Sequence, residues 1–371
     1  MKEGWEYKKL GEVCDIYQPK TLSKKDFVDD GEYFVYGANG VIGKHDHYNH
    51  ECSEVLLGCR GSVGTVTISK PFSWINGNAM VIRPRTSNLL QTFLAYQLRN
   101  IDLSRVVTGI AQPQITRQSL SPTSISIPSL AEQQHIVEEL DLLSSIKEKK
   151  NNQLNELDNL AQSLFYEMFG DPMNNEKRWI IKTLGELASF KNGLNYHPTD
   201  NGFLIKCIGV GDFQNRKELK EFDFIKESSI DEKIDDGYYL TDGDIIIVRS
   251  NGSKELVGRN MIVYPKRNKI TYSGFCIRCR LYTNEIIPLI LNRVLSCRST
   301  MRVLRQEGRG CNISNINQKV LSSLPIVLPP LDLQHQFASK IEVIERQKEL
   351  IQKSIKEVET LFNSRMDYYF N

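Results

Sequence analysis

Several residue groups in this chain have types and spacings that could do chemistry. Cys276 and Cys279 form a Cys-x-x-Cys pair, half of what a tetrahedral zinc site needs. No second pair stands at ligand spacing. On the alternating segment Gly274 to Arg280 the two thiols would face opposite ways, so no metal is expected. His45, His47 and His50 cluster near a turn and read as a polar surface loop that could face DNA. An amino-methyltransferase needs Asn/Asp-Pro-Pro-aromatic to hold its target amine, but Pro329-Pro330 is preceded by Leu328 and followed by Leu331. Gly209-Val210-Gly211 is too short for a cofactor loop, and no glycine-rich loop ends in Lys-Ser/Thr to cradle phosphates. No residue is assigned a catalytic role.

The basic and amide residues are better organised. Arg298, Arg302, Arg305 and Arg309 step by four, three and four, one stripe on a helix. Four guanidinium groups so placed suit a row of phosphates, with a solvated basic face as the alternative. Gly308, Gly310 and Asn312 follow as a turn where backbone could approach DNA. Arg249, Asn251, Ser253, Lys254 and Arg259 follow an apolar strand and should lie on an exposed loop. Earlier in the chain, Lys44 to His47 and Arg60 occupy an analogous strand-and-loop region. Thr108, Gly109, Gln112 and Gln114 stand where the stripe stands later, and amides can read adenine edges. The formal net charge is only +2, so any nucleic-acid surface must be local in this way.

The elements that position these groups occur twice. Trp5-Glu6-Tyr7-Lys8-Lys9-Leu10-Gly11-Glu12 reads like Trp179-Ile180-Ile181-Lys182-Thr183-Leu184-Gly185-Glu186, at an offset of 174. Ile127-Pro128-Ser129-Leu130 with Gln133 reads like Leu328-Pro329-Pro330-Leu331 with Gln334, at an offset of 201. The ends of each repeat match and the middles do not, as in one scaffold carrying two different surfaces.

A long helix is expected after each proline junction. Ile136, Leu140, Leu143, Lys147, Lys150, Leu154, Leu157, Ala161, Leu164 and Met168 alternate by four and three. Phe337, Ile341, Ile344, Lys348, Ile351, Ile355, Val358, Phe362, Arg365 and Tyr369 do the same. Sixteen of these twenty positions are apolar, without Gly or Pro in either run, which is the pattern of a coiled-coil seam. The expected partner of each helix is the other, antiparallel, with Leu140, Leu143, Leu154, Leu157, Ile341, Ile344, Ile355 and Val358 in the seam. By the repeat, Phe370 takes the place of Phe169, so it should rest beside Trp5.

The blocks between are expected to be α+β. Glu54–Gly58, Val63–Ile68, Asp244–Val248 and Gly274–Arg280 read as strands, and helices are expected near 89–100 and 286–306. The whole is an α+β chain of two globular α/β domains in pseudo-twofold repeat, with two long antiparallel helices. The boundaries fall at 1–128, 129–170, 171–329 and 330–371. No apolar run is long enough to span a membrane, and eight scattered cysteines fit reduced thiols in a cytoplasmic protein.

This layout resembles the DNA-specificity subunits of type I restriction-modification systems over essentially the whole chain. The resemblance rests on Trp5 to Glu12 and Trp179 to Glu186 at the block starts. It rests also on Pro128-Ser129-Leu130-Ala131-Glu132-Gln133 at the first junction and Phe169-Gly170-Asp171-Pro172 at the central join. The second junction departs from the pattern, with Leu333 in the place of Glu132. The resemblance implies two target-recognition domains, each reading half of a split double-stranded DNA site. It implies helices that dock two modification subunits, with translocating restriction subunits completing the nuclease. S-adenosylmethionine and ATP would be used by those partners and no cofactor by this chain. A non-catalytic DNA reader is thus expected. A protein-only coiled-coil adaptor and a self-contained methyltransferase or nuclease are the competing classes.

Overall fold

A computed structural model describes residues 4–109, 111–195, 202–214, 216–230, 234–253, 255–307 and 316–371. The chain packs as two compact units, Met1–Gln153 with Leu350–Asn371, and Leu154–Glu349. The residues expected to form each long helix are therefore shared between the two units.

In the first unit a four-stranded antiparallel sheet runs in the order Cys14–Tyr17, Ala79–Pro84, Val55–Gly58, Val66–Ile68. A three-stranded sheet has Tyr33–Gly37 between Gly40–His45, antiparallel, and Trp74–Ile75, parallel. The helix Gln91–Asn100 buries Phe93, Leu94 and Leu98 in the same core as Val55, Leu57, Met80 and Ile82.

In the second unit the order is Ala188–Asn192, Cys276–Leu281, Asp244–Val248, Asn260–Val263, Glu218–Leu219. A smaller sheet sets Phe203–Ile208 between Glu227–Ile230 and Ile270–Tyr272. The run Ile245-Ile246-Ile247-Val248 is β-branched throughout and wholly buried, which a strand covered on both faces requires. Its alternation divides two cores: Ile245 and Ile247 enter one with Cys279, Ile246 and Val248 the other with Cys276. The two thiols of the Cys-x-x-Cys pair thus lie on opposite sheet faces. Burial raises both thiol pKa values, that of Cys276 to about 12.

The matched sequence segments take matched structures. Glu6–Lys9 pairs antiparallel with Ser124–Ile127, and Ile180–Thr183 with Pro325–Leu328. Gly11 and Gly185 recur because a neighbouring serine leaves no space: a Cβ would stand 2.8 Å from Ser121 Cβ and 2.0 Å from Ser322 Oγ.

Where one helix is expected over 286–306 there are two, Pro288–Ser296 and Arg298–Glu307. Cys297 between them is extended, with its thiol buried and donating to Arg293 O at 3.2 Å. The break lets Thr300 and Leu304 turn inward, 0% and 1% exposed, while Arg298 and Arg302 face solvent.

The long helices are Leu130–Phe169 and Leu331–Phe370, 40 residues each. In the first unit Lys147 pairs with Glu359 at 2.9 Å, and Arg365 Nη2 donates to Glu139 Oε2 at 2.8 Å. In the second, Lys348 pairs with Asp158 at 3.0 Å, and the Phe165 and Phe337 rings are 5.7 Å apart. In both units numbers rise on one helix as they fall on the other. Lys147 and Lys348 are 201 apart, and so are Asp158 and Glu359, so the seam lysines make the same ion pair in each repeat. Leu140, Leu143, Ile341 and Ile344 are buried; Leu154, Leu157, Ile355 and Val358 are half-buried. Near the first helix's end the buried positions are Ala161, Phe165 and Phe169, spaced by four, rather than Leu164 and Met168. There the helix joins a globular core, and a straight helix keeps a face with 3.6-residue spacing. Phe93 packs between Trp5, edge-on at 6.2 Å, and Phe370, tilted at 5.4 Å, bringing residue 370 to the Trp5 segment.

The Arg365 hydrogen bond holds the Glu139 carboxyl below its ordinary range. A depressed folded-state pKa adds stability above the unfolded value, and that stability is lost as pH falls through the folded one. Glu139→Gln should cost about 1.5–3 kcal/mol at neutral pH, the worth of a hydrogen bond to a charged group. In urea melts the gap from wild type should close as pH drops below the carboxylate range; a gap constant with pH would contradict the pairing.

Candidate nucleic-acid interface

In the second unit the loop after Val248 and the arginine helix, separate in sequence, line one cleft. It encloses about 730 Å³ and is walled by Glu255, Arg259, Ser296, Arg298, Met301, Arg302 and Arg305. Four guanidinium groups against one carboxylate make it electropositive. The helix presents three of them, Arg298, Arg302 and Arg305, because Thr300 and Leu304 anchor its other face, and the loop brings Arg259.

The four arginines are not equivalent. Arg298 and Arg302 are exposed. Arg305 donates from Nη2 to Glu255 O at 2.9 Å, and its Nε lies 3.5 Å from Val257 O, so it straps the loop to the helix. Arg259 donates from Nη1 to Gln214 O at 2.8 Å. Arg249 continues the buried strand: its N–H meets Phe275 O at 2.9 Å and its carbonyl accepts from Ile316 N at 2.8 Å. Its half-exposed side chain has a buried Nε with no hydrogen-bond partner among the described residues. Asn251 Oδ1 accepts from Ser253 N at 2.8 Å, which folds this loop into an Asx turn. Gly258, with φ +86°, closes the loop where a Cβ would stand 2.8 Å from Met301 Cε. Lys254, Arg309 and Asn312, with the glycines at 308 and 310, lie outside the described residues.

The candidates of the first unit divide between two sheets. Arg60 and Gln114 face each other across an isolated bridge, and Arg60 Nε donates to Gln114 Oε1 at 3.3 Å. Gln114 O accepts from Thr108 Oγ1 at 3.2 Å, and exposed Gln112 lies in the connection between. Lys44 and His45 end the strand Gly40–His45 of the other sheet, and His47 follows. The rings of His45 and His47 are 5.6 Å apart, and His45 lies 5.4 Å from Trp74. His50 leaves this group. It is buried, within 2.9 Å of Tyr17 Oη and 2.6 Å of Asn49 Oδ1, and burial lowers its pKa.

Sequence reasoning missed Met301 and Ser296, which bear no charge, and a cleft of about 880 Å³ lined in part by Tyr17, Lys20, His50, Glu54 and Arg83. The Arg83–Glu54 pair among its lining residues has a counterpart in Arg280–Asp244: in each, an arginine near the end of one strand meets a 1%-exposed carboxylate at or just before the start of the neighbouring strand. Recurrence in both units makes the pair framework. Among the described residues no cluster of three or more His, Cys, Asp or Glu side chains could hold a metal.

The described surfaces thus offer positive charge and amides on a duplicated frame. The family described as "Type I restriction modification DNA specificity domain" matches residues 2–156 and again 176–360. The chain belongs to this family. The two matched stretches start 174 residues apart, the offset between Trp5 and Trp179. The StySPI specificity subunit of Salmonella potsdam is 25% identical over 374 residues, covering 94% of this chain and 75% of the relative. The EcoKI specificity subunit of Escherichia coli is 23% identical over 367 residues, covering 92% and 73%. In fold the type I specificity subunit resembles the S subunit of M. genitalium, with a TM-score of 0.58 at 16% identity over 98% of this chain and 95% of that one. A further chain, from a type I R-M system, gives 0.61 at 17% identity over 100% and 98%. No helix among the described residues is long and apolar enough to cross a membrane.

Proposed function

We propose that this specificity subunit reads a bipartite, asymmetric double-stranded DNA site without chemistry of its own. One half falls to the domain at 1–128, the other to the domain at 171–329. The observation that carries this is the contrast between frame and surface. Ribbon, close-packed glycine, buried acid–arginine pair and long helix recur in both units. The exposed polar groups do not: Arg60 with Gln114 in one, an arginine-lined cleft in the other. In that cleft Arg298 and Arg302 hold phosphates, while Arg249 and the loop it begins face base edges.

The helices at 129–170 and 330–371 form an antiparallel coiled coil, a reading supported by the paired Lys147–Glu359 and Lys348–Asp158 contacts. Their outer faces dock modification subunits. Leu142 and Val343 are 59% and 58% exposed, Leu160 and Leu361 53% and 48%, and each pair is 201 residues apart. Leu142 and Leu361 belong to the first unit, Val343 and Leu160 to the second, so each unit carries one such exposed pair. An apolar patch repeated at the same offset suits two copies of one partner. Those subunits would use S-adenosylmethionine, restriction subunits would use ATP, and the complex would work in the cytoplasm.

Methylome sequencing of cells expressing this chain with its modification subunit should show a split motif with two different halves. The half-sites should stand roughly one to one and a half helical turns apart, about 34–36 Å per turn. A continuous or palindromic motif would count against two unlike readers. A protein-only adaptor would instead leave DNA unshifted in gels with and without modification subunits.

A further inference from the structure

Gln133 and Gln334 have no part in the DNA surfaces, yet both are completely buried polar side chains. Each stands in the first turn of a long helix, and the two amides make the same three hydrogen bonds. Gln133 Oε1 accepts from Leu90 N at 2.8 Å, and its Nε2 donates to Asn88 O at 2.8 Å and Pro128 O at 2.9 Å. Gln334 Oε1 accepts from Ile287 N at 3.0 Å, and its Nε2 donates to Glu285 O at 2.9 Å and Pro329 O at 2.8 Å.

The correspondence holds by position. Leu90 and Ile287 are the residues that open the domain helices Gln91–Asn100 and Pro288–Ser296. Neither can offer a capping side chain. Asn88 and Glu285 each lie two residues before that opening, and Pro128 and Pro329 each five before the glutamine. One amide therefore ties together the start of a domain helix, the loop entering it, and the proline junction at which the long helix leaves the domain. The site demands one acceptor and two donors at a fixed reach. Glutamine supplies both; a carboxylate would set its oxygens against two carbonyls, and asparagine is too short.

We infer that Gln133 and Gln334 are positioning residues that fix the direction in which each long helix departs from its recognition domain, and so set how strictly the complex measures the spacer between half-sites. This rests on the bipartite reading above. A long helix turns a small change of angle at its root into a large displacement at its far end. A loosened root should therefore blur spacing before it alters the bases read.

The test uses the full complex with modification subunits, carrying Gln133→Met or Gln334→Met, of similar length and without hydrogen bonds. Methylation rates are compared on duplexes with the native spacer and with one base pair added or removed. The preference for the native spacer should fall roughly tenfold in either variant, as a loss of about 1.4 kcal/mol implies, while both half-site sequences stay unchanged. Gln133→Asn and Gln334→Asn carry the same test if the methionine forms do not fold. Variants that melt earlier but keep the wild-type spacer preference would overturn the inference, leaving the glutamines with stability alone. A wild-type complex indifferent to spacer length would instead overturn the bipartite reading and the inference with it.

Discussion

Replacing Arg298 and Arg302 together with alanine is expected to make the salt dependence of DNA binding shallower by roughly two units of log affinity per log salt, since each phosphate contact contributes about 0.9. With the counterion term taken as zero at 1 M, that amounts to about thirtyfold weaker binding at 0.15 M salt. The loss should be similar on cognate and non-cognate duplexes, and the methylated sequence should not change, because phosphates carry no direct base information. Arg305 should behave differently. Its guanidinium strap to Glu255 O holds the loop that begins at Arg249, so Arg305→Ala should also relax the preference for bases in one half-site. Arg249→Ala should relax a single position, at roughly 1–3 kcal/mol if it reads one base edge. Binding titrations from low to high salt on both duplexes decide it. An unchanged slope in the double variant would assign the stripe to solvent.

Phe337→Ala is expected to cost about 3–5 kcal/mol, the usual range for emptying a buried aromatic site. Phe337 is wholly buried, with Phe169 at 5.3 Å and Phe165 at 5.7 Å, both edge-on, so its loss removes two ring contacts together with the transfer term. It lies where the second helix leaves its domain, six residues past the helix start at Leu331, and is the first buried position of the seam. Leu157→Ala, at a half-buried seam position, should cost less than half as much. Urea melts of the intact chain should rank the variants in that order. Equal costs would mean that the seam is packed evenly along its length, contrary to the burial seen at Leu154 and Leu157.

The sequence by itself determined the duplication, the strand Asp244–Val248 and the long helices. These are set by local periodicity and by short segments that must fold alike, so they can be read one residue after another. Leu-Gly-Glu at 10–12 and at 184–186 recurs because the same close approach to a serine must be made twice. The opposite facing of Cys276 and Cys279 also followed from strand alternation alone. Tertiary structure decided which polar groups meet. The convergence of the Arg249–Arg259 loop with the arginine helix depends on a strand order, Cys276–Leu281 beside Asp244–Val248 beside Asn260–Val263, that no local pattern encodes. Arg298 and Arg305 look alike in a helical stripe; the carbonyls of Glu255 and Val257 are what commit the Arg305 guanidinium to the loop. The helix break at Cys297, without Gly or Pro to mark it, arises from burying a thiol and turning Thr300 and Leu304 inward. Gln133 and Gln334 were visible as a repeated letter, but their function lies in carbonyls more than 40 residues away in sequence. A backbone group shows no side-chain identity to read, so hydrogen bonds to backbone are legible only once the chain has folded.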